Sequence, residues 1–163
     1  MANLANPRKK FNFRITIPQS VIMEPFGAQQ VTLPDSEVEM VEHGFGNTVL
    51  KTAGLSKPGT LKIDRIISAD TLTGVNGAAF FEWQKLAQDP FTQTGGDPLD
   101  YKMTVIVEEL GNLGVGGNPP VVLNTWTFEG CWPTRINGRE FDRTASENLM
   151  ESIELSVDYI LDF

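Results

Sequence analysis

The sequence predicts a mainly β, α+β fold: a rolled antiparallel sheet, forming a small barrel or sandwich, with one helix packed on it. Three observations carry that expectation. Polar and apolar residues alternate with a period of two in several well-separated stretches, the mark of strands that bury one face. Helical spacing of apolar residues is convincing only over residues 78–87. Clusters of glycine and proline separate these stretches, as expected of turns between strands.

The first strand is residues 11–17, with Phe11, Phe13, Ile15 and Ile17 on one face and Pro18 as its stop. Pro25, Gly27 and Pro34 break up the pattern over residues 19–36, an irregular crossing with a short strand at 30–33. Two arms follow, residues 37–42 and 60–67, both alternating. Between them residues 44–59 form a connection far longer than the usual hairpin loop of about 2–5 residues, which marks a functional segment. Phe45, Val49, Leu50 and Leu55 make it too apolar for a disordered linker, and the turn Lys57-Pro58-Gly59 sets its return. Its domain offers no evident way to bury these side chains, so they are expected to meet another chain.

Turn material over residues 70–77 leads into the helix, with Asn76 as N-cap, Asp89-Pro90 as stop, and Phe80, Trp83 and Ala87 on the side that faces a sheet. Residues 101–108 and 121–129 read as strands joined by a glycine-rich hairpin tip at 111–120. That run is no phosphate loop: a strand follows it where a helix N-terminus is needed, and no Gly-Lys-Ser/Thr is present. Cys131-Trp132-Pro133-Thr134-Arg135-Ile136-Asn137-Gly138 and a charged connector precede the clearest alternation of the chain, residues 151–161, with Ile153, Leu155, Val157, Tyr159 and Leu161 inward.

A chain of 163 residues fits one domain, 1–163, able to bury roughly 70% of its unfolded surface without staples. Residues 1–10 form an N-terminal arm whose basic cluster Arg8-Lys9-Lys10 is read as solvated or as a contact to an acidic neighbour. A net charge of −8 argues against gripping nucleic acid through its phosphates. No stretch reaches membrane-spanning length and the N-terminus lacks a signal-peptide core, so use without Sec-type export and without a membrane is expected.

Candidate chemistry is sparse, and no enzyme, cofactor or metal is expected. The one cysteine, Cys131, reads as a small buried hydrophobe, and the one histidine, His43, as a structural or rim residue at the mouth of the long connection. No nucleophile, base and orienter can be assembled from them. Trp83, Trp126 and Trp132 read as core anchors, since an acidic protein would repel a nucleic-acid strand stacked on them.

The order of these features resembles the tail tube proteins of contractile-tailed phages and is similar to the tubes of contractile injection systems. The match rests on Ala-Gly-Leu-Ser-Lys-Pro-Gly over residues 53–59, the aromatic helix, Trp132 to Gly138 in the Trp-Pro-Thr-Arg-Ile-Asn-Gly motif, and a final Glu-x-Ile-Glu-Leu at 151–155. Ala53 stands where that family has a proline, and the tip at 111–120 is longer than usual.

The resemblance implies a structural virion protein in the phage tail, assembled in the host cytoplasm. Hexameric rings would stack into a conduit for the genome, with sheath, tape-measure, baseplate and tail terminator proteins as partners and DNA passing without specific binding. An injection-system or tailocin tube carrying effectors remains an alternative. A monomeric β-barrel binding a small ligand is the alternative from another class. If Val38, Met40, Leu61, Ile63, Ile153, Leu155 and Val157 face the core, the opposite phase carries Glu37, Glu39, Asp64, Glu154 and Asp158 against Lys62. These carboxylates are then expected to line the lumen.

Overall fold

The computed structural model describes residues 13–18, 28–66, 79–111, 120–137, 143–144 and 150–162. Expectations placed on Phe11, the basic cluster, Asn76 and most of the 111–120 tip lie outside these residues. The elements are β1 (Phe13–Thr16), β2 (Gln30–Thr32), β3 (Ser36–Phe45), β4 (Thr48–Pro58), β5 (Leu61–Ile66), α1 (Ala79–Ala87), α2 (Pro98–Tyr101), β6 (Met103–Leu110), β7 (Val122–Ile136), β8 (Met150–Ser156) and β9 (Tyr159–Asp162).

One antiparallel sheet runs in the order β1-β6-β7-β8-β5-β2, with β9 also paired to β7. Among the described residues β1 and β2 are its two ends and no pair joins them, so these strands form an open sheet. Period-two sequences put one face inward: Ile15 and Ile17, Leu61 and Ile63, Val105 and Val107, and Ile153 and Leu155 are all buried. Helix α1 lies against β7 and closes this core with Phe80 and Trp83. The Trp83 indole Nε1 donates to the Tyr101 carbonyl at 2.6 Å, which ties α1 to the short helix α2. Leu86, next to Ala87 on the helix, is exposed.

Strand β7 is long because the two segments expected at 121–129 and 131–138 are one strand. It is bent, not broken, at Gly130. Phe128 and Cys131 both point inward although three positions apart, so one extra residue is inserted between them. Gly130 takes φ 68°, a left-handed conformation that favours glycine. A second irregularity faces it. The final stretch is not one alternating strand: Val157 is buried, the chain bends at Asp158, and Ile160 is the next residue packed on the core. Tyr159 and Leu161, expected inward, are therefore exposed. The Asp158 amide donates to the Glu129 carbonyl at 3.0 Å, and a Cβ on Gly130 would lie 2.7 Å from the Asp158 Cβ.

Charge enters the core at one described place. Arg65 and Glu151 are cross-strand partners in β5 and β8, in phase with the buried aliphatics, with side chains only 4% and 3% exposed. Arg65 Nε and Nη2 donate to the same carboxylate oxygen at 2.8 and 2.7 Å, and the guanidinium lies 4.7 Å from the centre of the Phe80 ring.

Candidate assembly interface

Residues 44–59 are not a loop. Strand β4 occupies residues 48–58 and pairs along its length with β3, and this ribbon is a separate two-stranded sheet. The turn is the two residues Gly46-Asn47, with Phe45 opposite Thr48 and Gly46 at φ 59°. At the base the Gly59 amide donates to the Asp35 carbonyl at 2.9 Å, and a side chain on Gly59 would crowd Asp35 N at 3.0 Å. The register slips between Val38 and Met40, opposite Gly54. A Cβ at Gly54 would meet Val41 Cγ2 at 2.9 Å and Glu39 O at 3.0 Å, so glycine permits the close approach that the bulge needs. Lys57 then reaches Glu39 at 3.0 Å. The segment 53–59 is thus a bulge, an ion pair and an exit turn.

Every residue of β3 is exposed, and so is every residue of β4 except Gly54 and Pro58, which are intermediate. Val38 and Met40 do not face the core as the alternation suggested, because β3 belongs to no core-facing sheet. Glu37 and Glu39 consequently stand on the ribbon, not on the main sheet. The four residues expected to meet another chain are exposed: Phe45 is 75% exposed, Leu55 72%, and Val49 and Leu50 more than half. Register divides them between two faces, since residues paired across strands share a face. One face carries Val41, His43, Phe45, Thr48, Leu50 and Thr52; the other carries Met40, Glu42, Val49, Lys51 and Ala53. An isolated two-stranded hairpin is marginally stable in water, and its outer edges offer unpaired backbone groups to a further strand.

The second candidate surface is the sheet face turned away from the core. Asp64 and Glu154 lie on it, Asp158 stands at the bend between β8 and β9, and all three are partly buried. Each has a cation beside it: Lys62 lies 4.0 Å from Asp64, Arg135 4.0 Å from Glu154, and Lys102 donates to Asp158 at 2.5 Å. That hydrogen bond holds the Lys102 ammonium charged above its ordinary range. Farther along, Arg14 pairs with Glu108, and Thr104 donates to Glu129 at 2.8 Å. The surplus of carboxylates over Lys62 expected from the alternation is offset here by Arg135, the register partner of Glu154 on β7, and by Lys102 from the α2–β6 junction.

Burial pushes the Cys131 thiol up to about 12, with the Glu129 carboxylate adding to the rise, and its Sγ lies 3.5 Å from the Phe128 carbonyl. His43 stands on the separate ribbon. Among the described residues no three His, Cys, Asp or Glu side chains cluster as metal ligands, and no helix is long and apolar enough to cross a membrane.

A family model described as "T4-like virus tail tube protein gp19" matches residues 9–161. Solved structures share the fold at low identity. The sheath/tube terminator structure of an extracellular contractile injection system, PVC, in its extended state superposes with a TM-score of 0.72 at 16% identity, covering 97% of both chains. The tube-terminating cap of the anti-feeding prophage gives 0.71 at 18% identity, covering 98% of this chain and 97% of that one. Hcp1 from Flavobacterium johnsoniae gives 0.52 at 12% identity, covering 90% of each. No individual curated protein sequence matches significantly.

Proposed function

We propose, from the premise that this chain belongs to the T4-like virus tail tube protein family, that it closes into hexameric rings which stack through the β3–β4 ribbon. As a tail tube protein it is structural, with no catalytic task. The observation that carries the finer reading is the ribbon itself. Phe45, Val49, Leu50 and Leu55 stand exposed on two strands that pack chiefly on each other, and in a tube the available neighbour is another copy. Obligate interfaces bury roughly 2,000–5,000 Å², which rings sharing ribbons and sheet edges can supply. Pairing β1 and β2, the end strands among the described residues, between copies would close the open sheet into a continuous wall.

In this reading the polar sheet face lines the bore, with Asp64, Glu154 and Asp158 lumenal. Because Lys62, Arg135 and Lys102 are held beside those carboxylates, the wall offers phosphates few free cations, and passing DNA finds little to stick to. Glu37 and Glu39 would lie at the base of the ribbon, between copies. Sheath, tape-measure, baseplate and terminator proteins would be its partners, with the tube in the virion tail. The genes beside this one would distinguish a genome conduit from an effector conduit.

The test is assembly of the purified protein viewed by electron microscopy. Wild type should form rings or tubes, and Leu50→Asp/Leu55→Asp should stay monomeric near 18.0 kDa with an unchanged far-UV spectrum. Tubes formed by the double variant, or its unfolding, would refute docking through the ribbon. A reconstruction with Asp64 and Glu154 on the tube exterior would refute the lumenal assignment.

A further inference from the structure

Strand β7 has one edge that the described strands fill only in part. Its first edge is taken by β6 along residues 122–131, while on the second β8 pairs with residues 132–136 and β9 with residues 127–129. Residues 122–126 lie beyond the point where Asp162 meets Thr127, and among the described residues no strand pairs with them on that side. A groove opens there, lined by Val122, Leu123, Asn124, Thr125 and Asp162. The Thr125 amide donates to the Asn124 side-chain Oδ1 at 3.0 Å, so a side chain serves a backbone donor that strand pairing ordinarily serves. Leu123 is half exposed, and Leu161, on the strand that leads into the groove, is 61% exposed. An unfilled edge in line with an existing strand is a place where a strand from another chain can add.

We infer that the ribbon of a second copy fills this groove, its β4 adding to the free edge of β7 at residues 122–126. This rests on the docking reading above and adds to it the surface that receives the ribbon. Rings, and stacks that repeat in one direction, are built from head-to-tail contacts in which one surface of a copy meets a different surface of the next. The ribbon therefore needs a receptor other than itself. Phe91 and Leu99, 87% and 89% exposed, are the other prominent apolar side chains, but they belong to no strand. They also stand beside carboxylates, since their amides donate to Asp89 and Asp97. The groove on β7 offers what they lack, a backbone edge. Of the two ribbon strands, β4 matches it in charge: the groove ends at the Asp162 carboxylate, and β4 carries Lys51 and Lys57 where β3 carries Glu37, Glu39 and Glu42. Those lysine side chains are more than half exposed, which leaves them open to a further carboxylate beside their β3 partners. Main-chain hydrogen bonds hold the added strand, and its exposed Val49 and Leu50 meet the apolar side chains of the groove.

The experiment co-assembles two differently tagged chains, Leu50→Cys and Leu123→Cys, and treats the product with a short bis-maleimide; the native thiol, Cys131, is buried. A dimer joining the two tags should form in the mixture, and neither variant alone should give one. Thr52→Cys, on the same face of β4, takes the place of Leu50→Cys if that variant does not assemble. Leu50→Cys mixed with Phe91→Cys should give no dimer. Leu123→Asp should keep the wild-type far-UV spectrum and lose pelletable tubes, whereas Phe91→Asp should keep both. Linking of Leu50→Cys to Phe91→Cys or to itself, absence of any link to Leu123→Cys, or tubes from Leu123→Asp would each overturn the inference. Leu50→Asp/Leu55→Asp separates the two levels. If it blocks assembly while the ribbon cysteine does not link to Leu123→Cys, docking stands and the receiving groove is wrong; if it assembles normally, the docking reading itself has failed.

Discussion

Replacing Glu151 by alanine probes the one described charge pair in the core. The change removes the carboxylate oxygen that both Arg65 Nε and Nη2 reach, at 2.8 and 2.7 Å, and leaves a guanidinium whose side chain is 4% exposed beneath Phe80. Breaking a buried pair from one side costs about 3–5 kcal/mol, a large share of the roughly 5–15 kcal/mol that holds a domain together. At about 2–4 °C per kcal/mol for a chain of this size, the melting temperature should fall by roughly 6–20 °C. Urea and thermal unfolding would measure it in the Leu50→Asp/Leu55→Asp background, where assembly adds nothing to apparent stability. The paired replacement Arg65→Met/Glu151→Leu should recover most of the loss, because apolar side chains remove the desolvation problem with the charge. A loss below about 1 kcal/mol is what a surface pair gives, and it would refute the reasoning. So would a paired variant as unstable as Glu151→Ala.

Gly130→Ala should destabilise the fold by more than the ordinary cost of leaving a left-handed glycine, because the new Cβ lands 2.7 Å from the Asp158 Cβ and forces the two facing bends apart. Urea unfolding would measure this, and a change within about 0.5 kcal/mol, typical of neutral surface sites, would contradict it. Cys131 should resist thiol reagents at pH 8 in the folded protein and become labelled only as urea unfolds it, since its thiol is pushed up to about 12. The folded proton affinity lies above the unfolded one, so the thiol's contribution to stability is intact below about 9 and is lost as pH rises towards about 12. Labelling of the folded protein at the rate of a free thiol would show that Cys131 is not in this core.

The sequence by itself determined the family and the core. The order of motifs from the first strand to Glu-x-Ile-Glu-Leu sufficed for the tail tube resemblance, and the family model spans residues 9–161. Alternation placed Leu61, Ile63, Ile153, Leu155 and Val157 in the interior, and helical spacing did the same for Phe80 and Trp83. These are local periodicities that one strand or one helix imposes without its neighbours.

The ribbon was half legible. Its exposed apolar residues stand out in the sequence, but the length of the connection suggests a loop, although Gly46-Asn47 between Val41, His43, Phe45 and Thr48, Leu50, Thr52 is a hairpin signal. Alternation also assumed that every strand has a core side, and β3 has none, which is why Val38 and Met40 were misplaced. What only the tertiary structure decided depends on partners distant in the chain. Arg65 meets Glu151 across 86 positions. Arg135 offsets Glu154 through register and Lys102 reaches Asp158 from the α2–β6 junction, and the bends at Gly130 and Asp158 reverse the phase of Tyr159 and Leu161. A period of two fixes which residues share a face, but only the neighbouring strand fixes where that period slips and which charge stands opposite.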